Sequence, residues 1–312
     1  MKRIIILHTL FILIFIFSKN SYSIENRILL KINNEIITSI DVFNETKYLL
    51  AINNKLKTID NEDLYKISIK SLLREKIKKI EILKNLNSKE IYIDEEYLDK
   101  LILSTSKKLG FQNINDFNKH LESNKLNIEI IKEKISVESL WNELIYKKFS
   151  KKLIIDKDKL RKKIIKDNNK MIKSYLLSEI VFKILNNENF NMKLNLIEKD
   201  IEDKGFSNAA LLHSISSTQN SGGDLGWITE ISLNPKIKNK VMQLKTGDYT
   251  KPIIIPGGFL ILKANDIKET KNKYDINKKL EELIRFTTNQ QLNQLSNIYF
   301  EKVKKEITIN EL

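Results

Sequence analysis

Through residues 61–86 the apolar positions Leu64, Ile67, Leu72, Leu73, Ile77, Ile80 and Leu83 recur every one to five residues, mostly three to five, with Lys and Glu on the other face. This period predicts an amphipathic helix stabilised chiefly by burying that stripe. The same reading predicts helices from Thr38 to about Asn53, from Asp94 to Gly110, over 115–123, along Ile128, Ile131, Ile135, Leu140, Trp141, Leu144 and Ile145, and from near Asp156. Local signals mark the ends. Thr38 and Asp41 fit a capping box, Asp94 precedes Glu95 and Glu96 where negative charge suits a helix start, and Gly110 suits a helix end. Ahead of these helices, 28–32 and 35–38 read as strands, joined by an Asn33-Asn34 pair that tolerates a tight hairpin turn.

From about residue 173 the period changes. Residues 175–184 (YLLSEIVFKI) alternate apolar and polar positions and predict a strand. A helix follows over 191–204 to Gly205, then a short one over 209–214. Residues 223–228 predict a second strand, 236–244 a helix after Pro235, and 251–255 with 258–267 two last strands around Pro256-Gly257. All three prolines and seven of the eight glycines fall between residues 205 and 258, whereas 39–170 hold one glycine and no proline. A turn-rich unit is therefore set between helical segments. The last segment carries an apolar stripe of Leu280, Leu283, Leu292, Leu295, Tyr299 and Val303, then a strand signal at 306–310 (EITIN). Neither that strand nor the one at Ile28 has a further sheet partner in its own segment.

Lys2 and Arg3 precede an apolar run from Ile4 to Phe17, broken only by His8 and Thr9 and followed by Ser21-Tyr22-Ser23. At 14 residues the run falls short of the roughly 20 needed to cross a bilayer as a helix, so it reads as a secretory leader, cleaved near Ser23. The expected protein is exported, without stable membrane insertion.

Composition narrows the chemistry. The 312 residues contain 54 Lys plus Arg against 40 Asp plus Glu, a formal charge of +14. The leader holds Lys2, Arg3, Lys19 and no acid, so +11 remains after cleavage. The lysines alternate with glutamates along predicted helices, the pattern of a solvated face and not of a nucleic-acid patch. A basic protein that binds anionic lipid or nucleic acid is the weakest of the readings and would show steep salt dependence. There is no cysteine, which removes disulfides, thiolate nucleophiles and sulfur-ligated metals. His8, His120 and His213 are too scattered for a metal site, and no cofactor is implied. Tyr48, Tyr65, Tyr92, Tyr97, Trp141 and Phe149 suit a helical core more readily than a peptide groove.

Gly222-Gly223-Asp224-Leu225-Gly226-Trp227 resembles the signature loop of the parvulin peptidyl-prolyl isomerases. Phe206, Ala210, His213-Ser214-Ile215-Ser216, Leu244, Gly247-Asp248, Pro252 and Gly258-Phe259-Leu260-Ile261-Leu262-Lys263 stand around it in family order. The glycines allow positive φ, Asp224 can accept loop N–H groups, and Trp227 reads as a core anchor. The resemblance covers residues 174–270. With a leader, an Asn-Asn hairpin, a helical segment and a final helix, the whole chain resembles the SurA-type periplasmic chaperones.

This resemblance implies an α+β protein. A leader (1–23) precedes a helical chaperone domain (24–172) completed by a C-terminal helix and strand (271–312). Between them lies one parvulin-like domain (173–270), a four-stranded antiparallel sheet with flanking helices. It also implies that unfolded outer-membrane or other exported polypeptides are the partners. Active parvulins carry two histidines, a Cys or Asp, and Met or Leu with Phe around the proline ring. The positions that align here are Glu179, Leu260, Ser216, Leu233 and Ile237, which form the expected substrate-binding set. Both imidazoles are replaced, and an ionised Glu179 would alter the field of the site. The expectation is a peptide-binding chaperone with degraded catalysis and no catalytic residues of its own; the alternative is an active cis-trans isomerase.

Overall fold

The computed structural model describes residues 26–185, 188–271, 273 and 275–312. The leader expected at 1–23 lies outside the described residues.

Two sheets organise the chain. In the first, β1 (Ile28–Ile32) and β2 (Glu35–Thr38) form an antiparallel hairpin. Its turn places Asn33 at φ 50°, the left-handed conformation that asparagine tolerates. The other edge of β1 pairs with β7 (Ile309–Glu311), so the sheet order is β2-β1-β7. The returning strand was expected at 306–310. It begins later because the final helix continues through Glu306.

The helices of this half start where their caps dictate. α1 (Ser39–Ile52) opens with a complete capping box: Thr38 Oγ1 accepts the Asp41 N–H, and Asp41 accepts the Thr38 N–H at 2.8 Å. α2 (Asn61–Leu86) is capped by Asp60 and stops at Asn87 in the left-handed region. α3 (Glu95–Lys108), α4 (Ile114–Ser123), α5 (Ile128–Phe149) and α6 (Lys157–Asp167) follow, each capped by Asp or Asn. The main core joins Ile32, Ile37, Ile77, Val137 and Trp141 to Phe300 and Val303 of α10 (Ile276–Glu306). Trp141 is 1% exposed, and its Nε1 donates to Ser296 Oγ at 2.8 Å. Tyr48 and Phe149 also pack on cores, whereas Tyr65, Tyr92 and Tyr97 are exposed.

The second sheet has the order β4-β3-β6-β5, all antiparallel: β3 (Met171–Phe182), β4 (Asp224–Thr229), β5 (Ile253–Ile255) and β6 (Gly258–Lys271). β3 is longer than the expected 175–184 at its start and ends two residues sooner. It is one of the two interior strands, and its register with the other, β6, runs from Met171↔Lys271 to Phe182↔Phe259. α7 (Phe190–Lys204) and α8 (Phe206–His213) meet at Gly205, which ends one helix and begins the next. That shared residue is why α8 starts earlier than the expected 209. α9 (Pro235–Val241) follows Asn234, whose side chain caps it.

Trp227 departs from expectation. It stands on an edge strand with its side chain 43% exposed and the Lys268 ammonium 4.0 Å from its ring centroid, so it is a surface cation–π partner instead of a core anchor. The loop role expected of Asp224 is present, since it accepts the Gly226 N–H at 2.9 Å.

α10 serves both halves. Its first part places Leu283 with Ile164, Ile172 and Ile231, and its last part enters the helical core. No helix among the described residues is long and apolar enough to cross a membrane.

Candidate functional site

The five positions singled out in the sequence converge. Glu179 from β3, Ser216 from the loop after α8, Leu233 before α9, Ile237 on α9 and Leu260 on β6 line a single cavity of about 170 Å³. The strand register explains part of this. Glu179 pairs with Leu262 and Leu260 pairs with Val181, so both reach the site from adjacent strands. Leu233, Ile237 and Leu260 belong to one buried apolar cluster with Leu177, Val181 and Leu262, which forms the floor.

A chain of hydroxyls leads to Glu179. Ser214 Oγ accepts the Val181 N–H at 3.1 Å and lies 2.9 Å from Ser216 Oγ, which lies 2.8 Å from Thr218 Oγ1. Thr218 then donates to Glu179 Oε1 at 2.8 Å. Among the described residues no basic side chain forms an ion pair with Glu179. Burial raises its carboxyl above the ordinary carboxylate range, and the Thr218 and Ser216 hydroxyls pull it part of the way back. Burial thus works against the ionised Glu179 expected from the sequence, with no cation among the described residues paired to offset it.

The folded-state pKa of Glu179 lies above the unfolded one, so the folded chain holds the extra proton between them, and stability falls as pH rises through that window. Replacing Glu179 by Gln should flatten this part of a profile of urea midpoint against pH and raise the midpoint at neutral pH. A profile identical to that of the unaltered chain would contradict it.

The roof of the cavity was not foreseen. It comes from α10, through Phe286, Asn289, Gln290, Asn293, Gln294 and Asn297. The signal was present, since amides at 289, 290, 293, 294 and 297 repeat at the spacing of one helical face. What was missing was any local sign that this face turns towards the second sheet. Arg74 of α2 ties the parts together: its guanidinium donates to Ile215 O at 2.9 Å and reaches Asn297 Oδ1 and Gln219 Oε1 at 3.5 Å.

Neither described histidine enters the cavity. His213 Nε2 lies 2.5 Å from Asp200 Oδ2, and His120 Nε2 lies 2.8 Å from Ala51 O. No cluster of His, Cys, Asp and Glu among the described residues has the form of a metal site. Chemically, the site offers an apolar slot that desolvates a side chain, one carboxyl able to donate or accept a hydrogen bond, and amides able to meet peptide N–H and C=O groups.

Comparison with known proteins finds partial matches. Residues 181–266 match the rotamase family, the PPIC-type PPIase domain. Chaperone SurA of one Pseudomonas fluorescens strain is 40% identical over 58 residues, which is 19% of this chain and 14% of that protein. Chaperone SurA of a second P. fluorescens strain is 23% identical over 185 residues, 56% of this chain and 43% of that protein. The chain therefore matches less than half the length of these curated relatives. A solved SurA-like chaperone structure from Campylobacter jejuni is 17% identical with a TM-score of 0.36, covering 92% of this chain and 99% of that one. Residues 181–266 thus match the PpiC-type parvulin domain, and parts of the chain are similar to the curated SurA chaperones.

Proposed function

We propose that this protein is exported to the periplasm, with residues 1–23 as its leader, and holds unfolded segments of outer-membrane and other exported polypeptides. Its parvulin domain binds peptide without turning over Xaa-Pro bonds at the rates of active family members. The reading rests on the family resemblance, which puts Glu179 and Leu260 where active parvulins carry imidazoles, and on the cavity that these two residues share. Rotating a prolyl amide means crossing a barrier of ~18–20 kcal/mol. Catalysis requires a group that favours the twisted amide over the planar one, and Leu260 offers none. The apolar floor and amide roof instead suit an extended segment, with an apolar side chain in the slot and its backbone against Asn289, Asn293 and Asn297. Outer-membrane strands, which alternate apolar and polar residues, have that character.

The test pairs two assays on the purified protein. Suppression of aggregation of an unfolded outer-membrane β-barrel should be near-stoichiometric. Isomerisation of a Xaa-Pro peptide in a protease-coupled assay should be at least ~10²-fold slower than that of active parvulins, the usual cost of losing a catalytic polar contact. Family-like rates that fall on Leu233→Ala would overturn the reading in favour of an active isomerase.

A further inference from the structure

Where α2 and α10 meet the parvulin domain, a separate cavity of about 360 Å³ gathers Lys70, Lys183, Lys193, Lys304 and Lys305 against two carboxylates, Glu188 and Glu301. Both carboxylates are engaged. Glu301 pairs with Lys183, and Glu188 lies 3.8 Å from Lys193 while accepting the Leu185 N–H. Lys70, Lys304 and Lys305 remain, and among the described residues none of the three has a carboxylate within 4 Å. Lys70 is partly buried and its ammonium donates to two neutral acceptors, Leu212 O at 3.1 Å and Ser214 O at 2.9 Å. Its third N–H is left for another acceptor.

Like charges gathered without counter-charge work against the packing that brings them together. Burial, together with Arg74, Lys304 and Lys193, pushes Lys70 down to about 7, and burial with Arg74 also lowers Lys304. We propose that this cavity binds a small oxyanion of at least two negative charges, of the phosphate or pyrophosphate kind, held by Lys70, Lys304 and Lys305. Lysine ammoniums are compact point charges suited to such ligands. The ligand joins α2 and α10 to the parvulin loop that Lys70 already contacts, so occupancy clamps the domain onto the helical half. Binding also restores full charge to Lys70 and takes up a proton near neutral pH. The other charged and titratable groups there are Arg74, Lys183, Lys193, His213, Lys304, Lys305, Glu188 and Glu301.

The experiment is a thermal-unfolding titration of the purified protein with inorganic phosphate and with pyrophosphate, each against NaCl at matched ionic strength. A saturable rise in Tm of ~3 °C or more with either oxyanion is expected. The exposed double variant Lys304→Gln/Lys305→Gln should fold and should bind at least ~10-fold more weakly. The exposed pair Lys100→Gln/Lys107→Gln on α3, which lines no part of this cavity, should keep the full response. The proposal fails if neither oxyanion exceeds NaCl, if Lys304→Gln/Lys305→Gln responds like the unaltered protein, or if the α3 pair loses the response to the same extent.

Discussion

A chain that ends at residue 272 should lose the cooperative unfolding of its helical half. The returning helix and strand close the core. Without them Trp141 loses Tyr299 at 5.7 Å, Phe300 at 6.2 Å and its hydrogen bond to Ser296, and β1 loses a partner along Leu30–Ile32. The Tyr299 hydroxyl, which bonds Glu81, goes as well. A graded version of the test uses Trp141→Ala in the whole chain. Truncating a buried tryptophan typically costs ~3–5 kcal/mol, a large share of the ~5–15 kcal/mol that a domain has in hand. Urea titration followed by near-ultraviolet circular dichroism reads both. A truncated chain that unfolds cooperatively at the original midpoint would show that β7 and α10 are dispensable.

The second large effect is expected at Gly223, and its neighbour provides the contrast. Both residues have positive φ, Gly222 at 67° and Gly223 at 78°. A Cβ on Gly223 would sit 2.1 Å from the Glu179 carbonyl oxygen, part of the β3 backbone, which has no room to give. That approach exists because the Glu179 N–H donates to Gly223 O at 2.8 Å where the loop enters β4. On Gly222 the nearest atom is the Ser207 hydroxyl, the movable end of a side chain. The left-handed conformation alone costs an L-residue ~1–2 kcal/mol, and displacing packed backbone adds ~1–3 kcal/mol. Gly223→Ala should therefore destabilise the parvulin domain by about 2–5 kcal/mol, against about 1–2 kcal/mol for Gly222→Ala. Trp227 lies in β4 and Trp141 in the helical core, so the fluorescence of Trp141→Phe variants follows the parvulin domain alone. Equal midpoints for the two alanine variants would refute the backbone clash.

Much of this architecture is legible because its signals act over one turn of helix or one hairpin. Asp41 is three residues from Thr38, and Asn33 answers only to its own φ, so both were readable without knowing the fold. α2 begins and ends where its caps stand. The five slot positions were found by resemblance to a family, and the register of β3 with β6 explains why residues 81 positions apart, Glu179 and Leu260, share a cavity. Trp227 was misread because the pattern of a strand does not tell an edge from a centre. Among the described residues β4 pairs only with β3, and the indole is 43% exposed beneath Lys268.

The sequence by itself determined the helices, the hairpins and the glycine-rich turn, since each depends on residue types and short-range geometry. Only the tertiary structure decided three things: that β7 returns to β1, that the amide face of α10 roofs the slot, and that Glu179 lies among hydroxyls with no ion-pair partner among the described residues. The reason is physical. Interactions within a turn are set by steric and hydrogen-bonding preferences that each residue carries with it. Which distant faces meet is set by the apolar area that all segments can bury together, and the charge state of a buried carboxyl depends on every group that this assembly brings near it.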